Sequence, residues 1–146
     1  MENKLKLTNQ VCFPVYSLAK EIVNRYRPFL EEMGLTYPQY LVMLILWEQS
    51  EQTVSELGEK LKLDSGTLTP LLKRLEQKKL VSRTRSAKDE RVVKISTTDE
   101  GQKLQTKASG IPQQLAQSMH LAEEDLLMLK NVIENILLKI KQNKEL

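Results

Sequence analysis

The sequence predicts a mainly α-helical fold with one small β-hairpin, and three observations indicate it. Apolar residues recur three or four positions apart along most of the 146-residue chain, which is the period of an amphipathic helix. Capping signals mark the starts of short helices in the middle of the chain, for example the side chains of Thr53 and Glu56. Two short segments with the pattern of strands flank the charged loop S-A-K-D-E-R at residues 86–91, which predicts a hairpin.

The first predicted helix covers about residues 7–33. Thr8 or Asn9 is its expected N-cap. Pro14 and Pro28 are expected to bend it, because an interior proline removes a backbone hydrogen bond. The helix has one apolar stripe to bury, made of Val11, Val15, Leu18, Ile22, Tyr26 and Phe29.

Three further helices are predicted at about residues 36–49, 53–62 and 65–79. The first opens with Thr36 or Tyr37 near the cap and Pro38 at its first position, and it is apolar on nearly every side, which is typical of a buried central helix. A tight turn separates the second helix from the third. The inner stripe of the third helix is Leu68, Leu71, Leu72 and Leu75.

Two short strands and a fifth helix follow. The strands are predicted at residues 80–85 and 92–96, and a hairpin this short must lean on the helices for stability. Thr98 starts the fifth helix, and Asp99 and Glu100 lie in its first turn, where the helix dipole favours acidic residues.

The chain is predicted to be a single domain that forms a homodimer. A last helix over about 122–141 carries more apolar surface than a lone C-terminal helix should expose. We therefore expect helices over about 7–33 and 112–141 to form the dimer interface, beside a second lobe at about 36–97.

The charge distribution indicates a nucleic-acid partner. Residues 63–94 hold nine basic and four acidic residues, a net +5 within a chain whose total is +3. Basic charge concentrated in one third of a chain is the footprint of a nucleic-acid face. A solvated helix and loop is the alternative, which charge alone does not exclude.

The order of short helix, tight turn, helix and basic hairpin is that of a winged helix-turn-helix, whose second helix enters the DNA major groove. Ser65, Thr67 and Thr69 place small donors and acceptors near the start of that helix. Lys73 and Arg74 follow at positions suited to phosphates or guanine edges. N-capping is the purely structural alternative for these three side chains, above all for Ser65.

The tip of the hairpin carries Arg91 behind Asp89 and Glu90. An arginine on a narrow loop suits the minor groove, and a nearby carboxylate can hold it in one pose. A merely solvated loop is the alternative for this triplet alone.

These stretches resemble the MarR family of dimeric winged-helix regulators. The matching motifs are L-D-S-G-T-L-T-P-L-L-K-R-L-E at 63–76, D-E-R at 89–91 and T-D-E-G at 98–101. The resemblance covers nearly the whole chain and implies a regulator that binds duplex DNA at a pseudo-palindromic operator.

Cys12 is the candidate for a signal-sensing residue. The ordinary interpretation of a free cysteine is a small buried hydrophobe. Two features favour a sensor: Cys12 lies near a helix start, where the positive end of the dipole stabilises a thiolate, and phenol groups that can bond a thiolate are near in sequence. All four tyrosines lie within the first 40 residues, at Tyr16, Tyr26, Tyr37 and Tyr40.

Q-V-C-F at 10–13 and L-T-Y-P-Q-Y at 35–40 are similar to the organic hydroperoxide resistance regulators, a branch of the MarR family. The resemblance implies that Cys12 is the peroxide sensor. It implies that Tyr26 and Tyr37 match two tyrosines that reach the cysteine from the partner subunit, with Tyr16 beside the site. It also implies DNA contacts by Asp64, Ser65, Thr67, Thr69, Arg74, Arg83, Arg85, Asp89 and Arg91.

The predicted function is a cytoplasmic repressor that releases DNA after an organic hydroperoxide and a small cellular thiol modify Cys12. No cofactor or metal is expected, because His120 is the only histidine, and no membrane association is expected. One alternative is a MarR-type repressor released by a small aromatic or phenolic ligand. A thiol peroxidase is opposed by the lack of a resolving cysteine, and a helical module without a DNA role is opposed by the +5 segment.

Overall fold

A computed structural model describes residues 3–144, which form two compact units divided between Ser109 and Gly110. The first unit contains α1 (Cys12–Glu31), α2 (Tyr37–Glu48), β1 (Glu51–Thr53), α3 (Val54–Leu61), α4 (Ser65–Gln77), β2 (Val81–Arg85), β3 (Val93–Thr97) and α5 (Asp99–Ala108). The second unit contains α6 (Ile111–Met119) and α7 (Glu123–Lys144). The predicted fold class, mainly helical with a small β-hairpin, is confirmed.

Side-chain caps fix the starts of the short helices. Thr36 and Thr53 each form a capping box, with Gln39 and Glu56 as the reciprocal partners. These boxes satisfy backbone N–H groups that have no partner inside the helix. Thr98 caps α5 by accepting a hydrogen bond from the backbone N–H group of residue 101, as the sequence predicted.

The start of α1 differs from the prediction. Thr8 and Asn9 lie in a separate 3₁₀ turn, and the N-cap of α1 is Val11, which offers no side-chain hydrogen bond. Pro14 is therefore the third residue of the helix, in the turn whose N–H groups have no helical acceptor. A proline at this position removes no hydrogen bond from the helix, so the prediction of a bend at Pro14 was wrong. The helix continues through Pro28.

The hairpin belongs to a three-stranded antiparallel sheet in the order β1-β3-β2. Its two long strands match the predicted ones closely. The sequence did not predict β1, because E-Q-T shows no apolar alternation. It becomes a strand through pairing, with Gln52 opposite Ile95 of β3.

The core of the first unit lies against one face of α4. Helices α2 and α3 and the sheet pack on that face. The predicted inner stripe of α4 is confirmed at Leu68, Leu72 and Leu75, all fully buried, while Leu71 is half-buried. Burial of a leucine side chain stabilises a fold by about 1.5–3 kcal/mol. Other fully buried side chains are Val42, Met43, Leu46, Leu57 and Ile95.

In the second unit, α7 matches the last helix predicted at about 122–141, and α6 precedes it within the segment 112–141 that was predicted for the dimer interface. His120, with φ 52°, ends α6 in a left-handed conformation that a helix cannot continue. Every α7 residue described is at least partly exposed. Its large exposed apolar side chains are Leu127, Met128, Val132, Ile133, Ile136, Leu137, Leu138 and Ile140.

Candidate nucleic-acid interface and thiol site

Helix α4, which the sequence predicts to enter the major groove, begins with a tight, capped turn. Lys62 ends α3 in the left-handed conformation, with φ 55°. Asp64 is the N-cap of α4, because its Oδ1 accepts a hydrogen bond from the backbone N–H of Thr67 at 2.8 Å. This bond lowers the pKa of the Asp64 carboxyl. Asp64, rather than Ser65, therefore caps the helix. The Ser65 side chain is exposed.

The two faces of α4 divide as the sequence predicted. The leucines face the core, while Lys73 and Arg74 are exposed. Ser65 and Thr67 are exposed in the first turn, and Thr69 is half-buried. The helix therefore presents small polar groups at its N-terminal end and cations further along, which is the arrangement that major-groove reading needs.

The hairpin tip holds Arg91 in one pose. The guanidinium Nε donates to Asp89 Oδ1 at 3.2 Å, and the backbone N–H of Arg91 donates to the same oxygen at 3.0 Å. These bonds lower the pKa of the Asp89 carboxyl. The Arg91 side chain is 91% exposed, so it is oriented yet open to solvent. This is the pose that the D-E-R triplet predicts for an arginine aimed at a groove.

The other two predicted arginines of the wing lie at its base. Arg85 Nη1 donates to the backbone carbonyl of Glu90 at 3.0 Å and so braces the tip of the hairpin. The Nε of Arg83 is buried, and no group among residues 3–144 accepts its hydrogen bond. Both arginines line a shallow pocket with Glu76 of the recognition helix.

Cys12 is the first residue of α1 and its side chain is exposed. Within one chain, Cys12 is therefore not a buried hydrophobe. Tyr16 follows one helical turn later on the same face, since residues four apart are neighbours on a helix surface. The ammonium of Lys20, one further turn on, lies 5.3 Å from the centre of the Tyr16 ring. Sequence reasoning missed Lys20, although the i, i+4 spacing was visible.

Tyr26 and Tyr37 form an aromatic cluster at the other end of α1. Their ring centres are 4.7 Å apart, and Tyr40 lies 5.8 Å from Tyr26. Sequence reasoning did not assign Tyr40 a role; it is buried and contacts Trp47, with ring centres 6.3 Å apart. Burial, together with repulsion from the neighbouring phenolates, raises the pKa of Tyr26 to about 12. Burial also raises the pKa of Tyr37, so both phenols are protonated hydrogen-bond donors at neutral pH.

The thiol and the phenols are far apart within one chain. Cys12 and Tyr26 are fourteen residues apart on the continuous helix α1. A rise of about 1.5 Å per residue separates their backbones by about 21 Å. A hydrogen bond from Tyr26 to the thiol of the same chain is therefore excluded. Only a second copy of the chain can bring these groups together.

Residues 3–144 contain neither a metal-binding cluster nor a bilayer-spanning helix. In that part of the chain no cluster of three or more His, Cys, Asp or Glu side chains is placed to hold a metal ion. None of the helices there combines the length and the apolar character that a bilayer-spanning segment requires.

Comparison with known proteins places the chain in a family. Residues 24–108 match the family described as transcriptional regulator SarA/Rot. The chain is 46% identical over 145 residues to the organic hydroperoxide resistance transcriptional regulator of Bacillus subtilis, covering 97% of this chain and 99% of that protein. The chain belongs to the MarR family, in its organic hydroperoxide resistance branch.

Solved MarR-type regulators share the fold. The reduced form of AbfR, a Staphylococcus epidermidis protein, bound to DNA is 37% identical to the chain with a TM-score of 0.79, covering 97% of this chain and 96% of that one. The overoxidized form of AbfR bound to DNA is also 37% identical, with a TM-score of 0.73, covering 91% and 94%. The winged-helix fold predicted from the sequence is thereby confirmed.

The tyrosine cluster of this MarR-family chain makes a pH prediction. An unfolded tyrosine loses its proton near pH 10.0, whereas folded Tyr26 holds it to about pH 12. Between these values the folded chain binds more protons than the unfolded chain, so the stabilising contribution of Tyr26 that is present below pH 10.0 is lost as the pH rises through about 12.

In a phenolate absorbance titration, Tyr26→Phe should remove the step near pH 12. Tyr37→Phe should move that step to lower pH, because repulsion from Tyr37 raises the pKa of Tyr26. A step near pH 12 that persists in Tyr26→Phe would contradict the assignment.

Proposed function

We propose that this chain is a homodimeric, DNA-binding repressor that senses organic hydroperoxides by oxidation of Cys12 and then releases its operator. One observation carries the proposal. Helix α1 holds an exposed thiol at its start and protonated phenols about 21 Å further along, a span that follows from its rise per residue. These groups form a single site only when a second copy of α1 lies antiparallel beside the first.

Exposed apolar surface supports the homodimer. Val11, the N-cap residue of α1, is exposed, as are Phe13, Val15 and Val23 within the helix, and contiguous exposed apolar surface of this kind marks an interface. Helix α7 independently exposes a long apolar surface. A second copy of the chain is the occupant that satisfies both surfaces and also completes the thiol site.

The DNA contacts follow from α4 and the wing. Ser65, Thr67 and Thr69 enter the major groove, where Lys73 and Arg74 reach phosphates or base edges. Arg91, held by Asp89, enters the minor groove. In a two-fold dimer the two recognition helices read half-sites about 34–36 Å apart, which predicts a pseudo-palindromic operator.

The sensing chemistry balances without a second cysteine. The Cys12 thiolate attacks the terminal oxygen of the hydroperoxide, the O–O bond breaks, and the products are a sulfenic acid and an alkoxide, which takes up a proton from water to become the alcohol. Because Cys12 is the only cysteine of the chain, a small cellular thiol then attacks the sulfur, displaces water and forms a mixed disulfide.

The mixed disulfide is the species proposed to release DNA. It adds a bulky group at Cys12, which displaces the phenols of Tyr26 and Tyr37 in the partner subunit. Further oxidation to a sulfinic or sulfonic acid adds only oxygen atoms. The overoxidized form of AbfR has been solved bound to DNA, which favours the bulkier adduct as the releasing species.

Fluorescence polarisation tests the proposal directly. Reduced protein is titrated against labelled duplex DNA from upstream of its own gene, with and without an organic hydroperoxide plus a small thiol. We expect tight, steeply salt-dependent binding that collapses on oxidation, together with an intact mass increased by one thiol adduct. Tight binding that peroxide does not change would contradict peroxide sensing by Cys12, while the proposed DNA binding would still hold.

A ligand-released repressor is the second candidate, and one pocket favours it. A cleft of about 270 Å³ lies between α1 and α2, lined by apolar side chains that include Leu30, Leu35 and Tyr37. Its volume is slightly below the range of about 300–1,000 Å³ that ligand sites occupy. Release of DNA by a phenolic compound, with no mass change at Cys12, would favour this candidate over oxidation.

A further inference from the structure

Lys78 links the recognition helix to the turn that holds Tyr37. It is the C-cap residue of α4, directly after Gln77. Its ammonium donates to the backbone carbonyl of Gly34, where α1 has ended, and to Oε1 of Gln39 in the first turn of α2 at 3.0 Å. These contacts join residues 44 and 39 positions apart in the sequence.

The acceptor side of this link is rigid. Gln39 is 2% exposed, and the same Oε1 atom accepts a hydrogen bond from the backbone N–H of Thr36 at 3.1 Å. Gly34 has φ +67°, a conformation that glycine adopts without strain. The ammonium therefore bonds to a turn whose geometry is fixed by a capping box and a left-handed glycine.

Tyr37 lies in the sequence between Gly34 and Gln39, the two residues that accept hydrogen bonds from Lys78. It is the first residue of α2 and follows Thr36 directly, and its ring packs on Tyr26 at 4.7 Å. Because Gly34, Tyr37 and Gln39 belong to one short turn, we expect a displacement of Tyr37 to move the Gly34 carbonyl and the Gln39 side-chain amide together. Through the ammonium, the same displacement reaches the C-terminal end of α4.

We propose that Lys78 is the positioning residue that transmits a displacement of Tyr37 to the recognition helix. This inference rests on the proposed peroxide-sensing function. Lys78 contacts neither the peroxide nor, in this role, the DNA. Its effect is on the coupling between oxidation and DNA affinity, a quantity that is distinct from either affinity alone.

The test compares Lys78→Met with Lys79→Met. Both variants lose one positive charge at the same end of α4, but the Lys79 side chain is exposed and makes no hydrogen bond or ion pair in residues 3–144. Operator affinity is measured for the reduced and the oxidised form of each protein, and intact mass verifies oxidation of Cys12. We expect wild type and Lys79→Met to weaken on oxidation by about 5–150-fold, the usual range of allosteric coupling.

Lys78→Met should oxidise normally, yet its oxidised and reduced forms should differ in affinity by less than about fivefold, below the usual coupling range. Lys78→Arg, which keeps the charge and donors, should restore the wild-type ratio. An unchanged ratio in Lys78→Met overturns the inference and leaves the proposed function standing. A wild-type protein that does not respond to oxidation overturns both.

Hydrogen exchange on the wild-type protein gives a second test that needs no variant. Oxidation should change amide exchange in residues 34–39 and in residues 74–80 together. A change in residues 34–39 without one in residues 74–80 would overturn the inference.

Discussion

Cys12→Ser is expected to bind the operator as the reduced wild-type protein does and to remain bound after treatment with organic hydroperoxide and thiol. At the first residue of α1 this substitution replaces an exposed thiol by an exposed hydroxyl of similar size, so it disturbs neither the packing of the chain nor the start of the helix. A serine hydroxyl does not enter the thiol oxidation ladder. The wild-type loss of affinity, about 5–150-fold for typical allosteric coupling, should therefore be absent.

Ser17→Ala provides the matched control, because residue 17 is exposed on the same helix and has no part in the proposed chemistry. This variant should release DNA on oxidation as the wild type does. Adding a reducing thiol in excess should then restore binding of the control and of the wild type. Release of DNA by the oxidised Cys12→Ser variant would show that the signal acts elsewhere.

Gly101→Ala is expected to destabilise the first unit by about 3 kcal/mol or more, in the upper range for single substitutions. A Cβ atom at this position would lie 2.1 Å from the backbone carbonyl oxygen of Leu80 and 2.7 Å from Oγ1 of Thr97. The Leu80 oxygen cannot rotate away, because it belongs to the backbone and accepts a hydrogen bond from Thr98 at 3.1 Å. Helix α5 must therefore move from the sheet.

Gly110→Ala is the control for this substitution. Nothing lies closer than 4.0 Å to a Cβ atom built there, and the φ of −86° suits alanine. Urea unfolding should give this variant a stability within about 0.5 kcal/mol of the wild type, as is usual for surface substitutions. Equal stabilities for the two alanine variants would show that α5 accommodates a methyl group beside Leu80.

The destabilisation expected for Gly101→Ala is opposite in sign to the effect that helix propensity alone predicts. In an exposed helix interior, glycine to alanine is favourable by about 1 kcal/mol. The sequence identified T-D-E-G as a motif but offered no reason for its fourth residue. That reason is the close approach of α5 to the Leu80 carbonyl, and the same glycine accepts a hydrogen bond from the Trp47 indole at 3.0 Å.

Local signals were reliable where a helix start is encoded in adjacent residues. The helix starts at Thr36, Thr53 and Thr98 were predicted because each threonine side chain accepts a hydrogen bond from the backbone N–H group only three residues further along. For α4 the sequence offered Ser65 as the capping candidate, whereas the structure places Asp64 in that position. The start of α1 was predicted too early, since Thr8 had the right side chain but lies in a separate turn.

The sequence by itself determined the helices, the hairpin, the polar start of α4 and the lone thiol, because each depends on residues a few positions apart. Tertiary structure alone decided the strand β1, the Tyr40 contact and the bond from Lys78 to Gly34, which join distant parts of the chain. It also decided that Cys12 and Tyr26 cannot meet within one chain, since an unbroken helix separates them. Periodicity encodes which face of a helix is buried, but only the packed fold determines which distant atoms meet there.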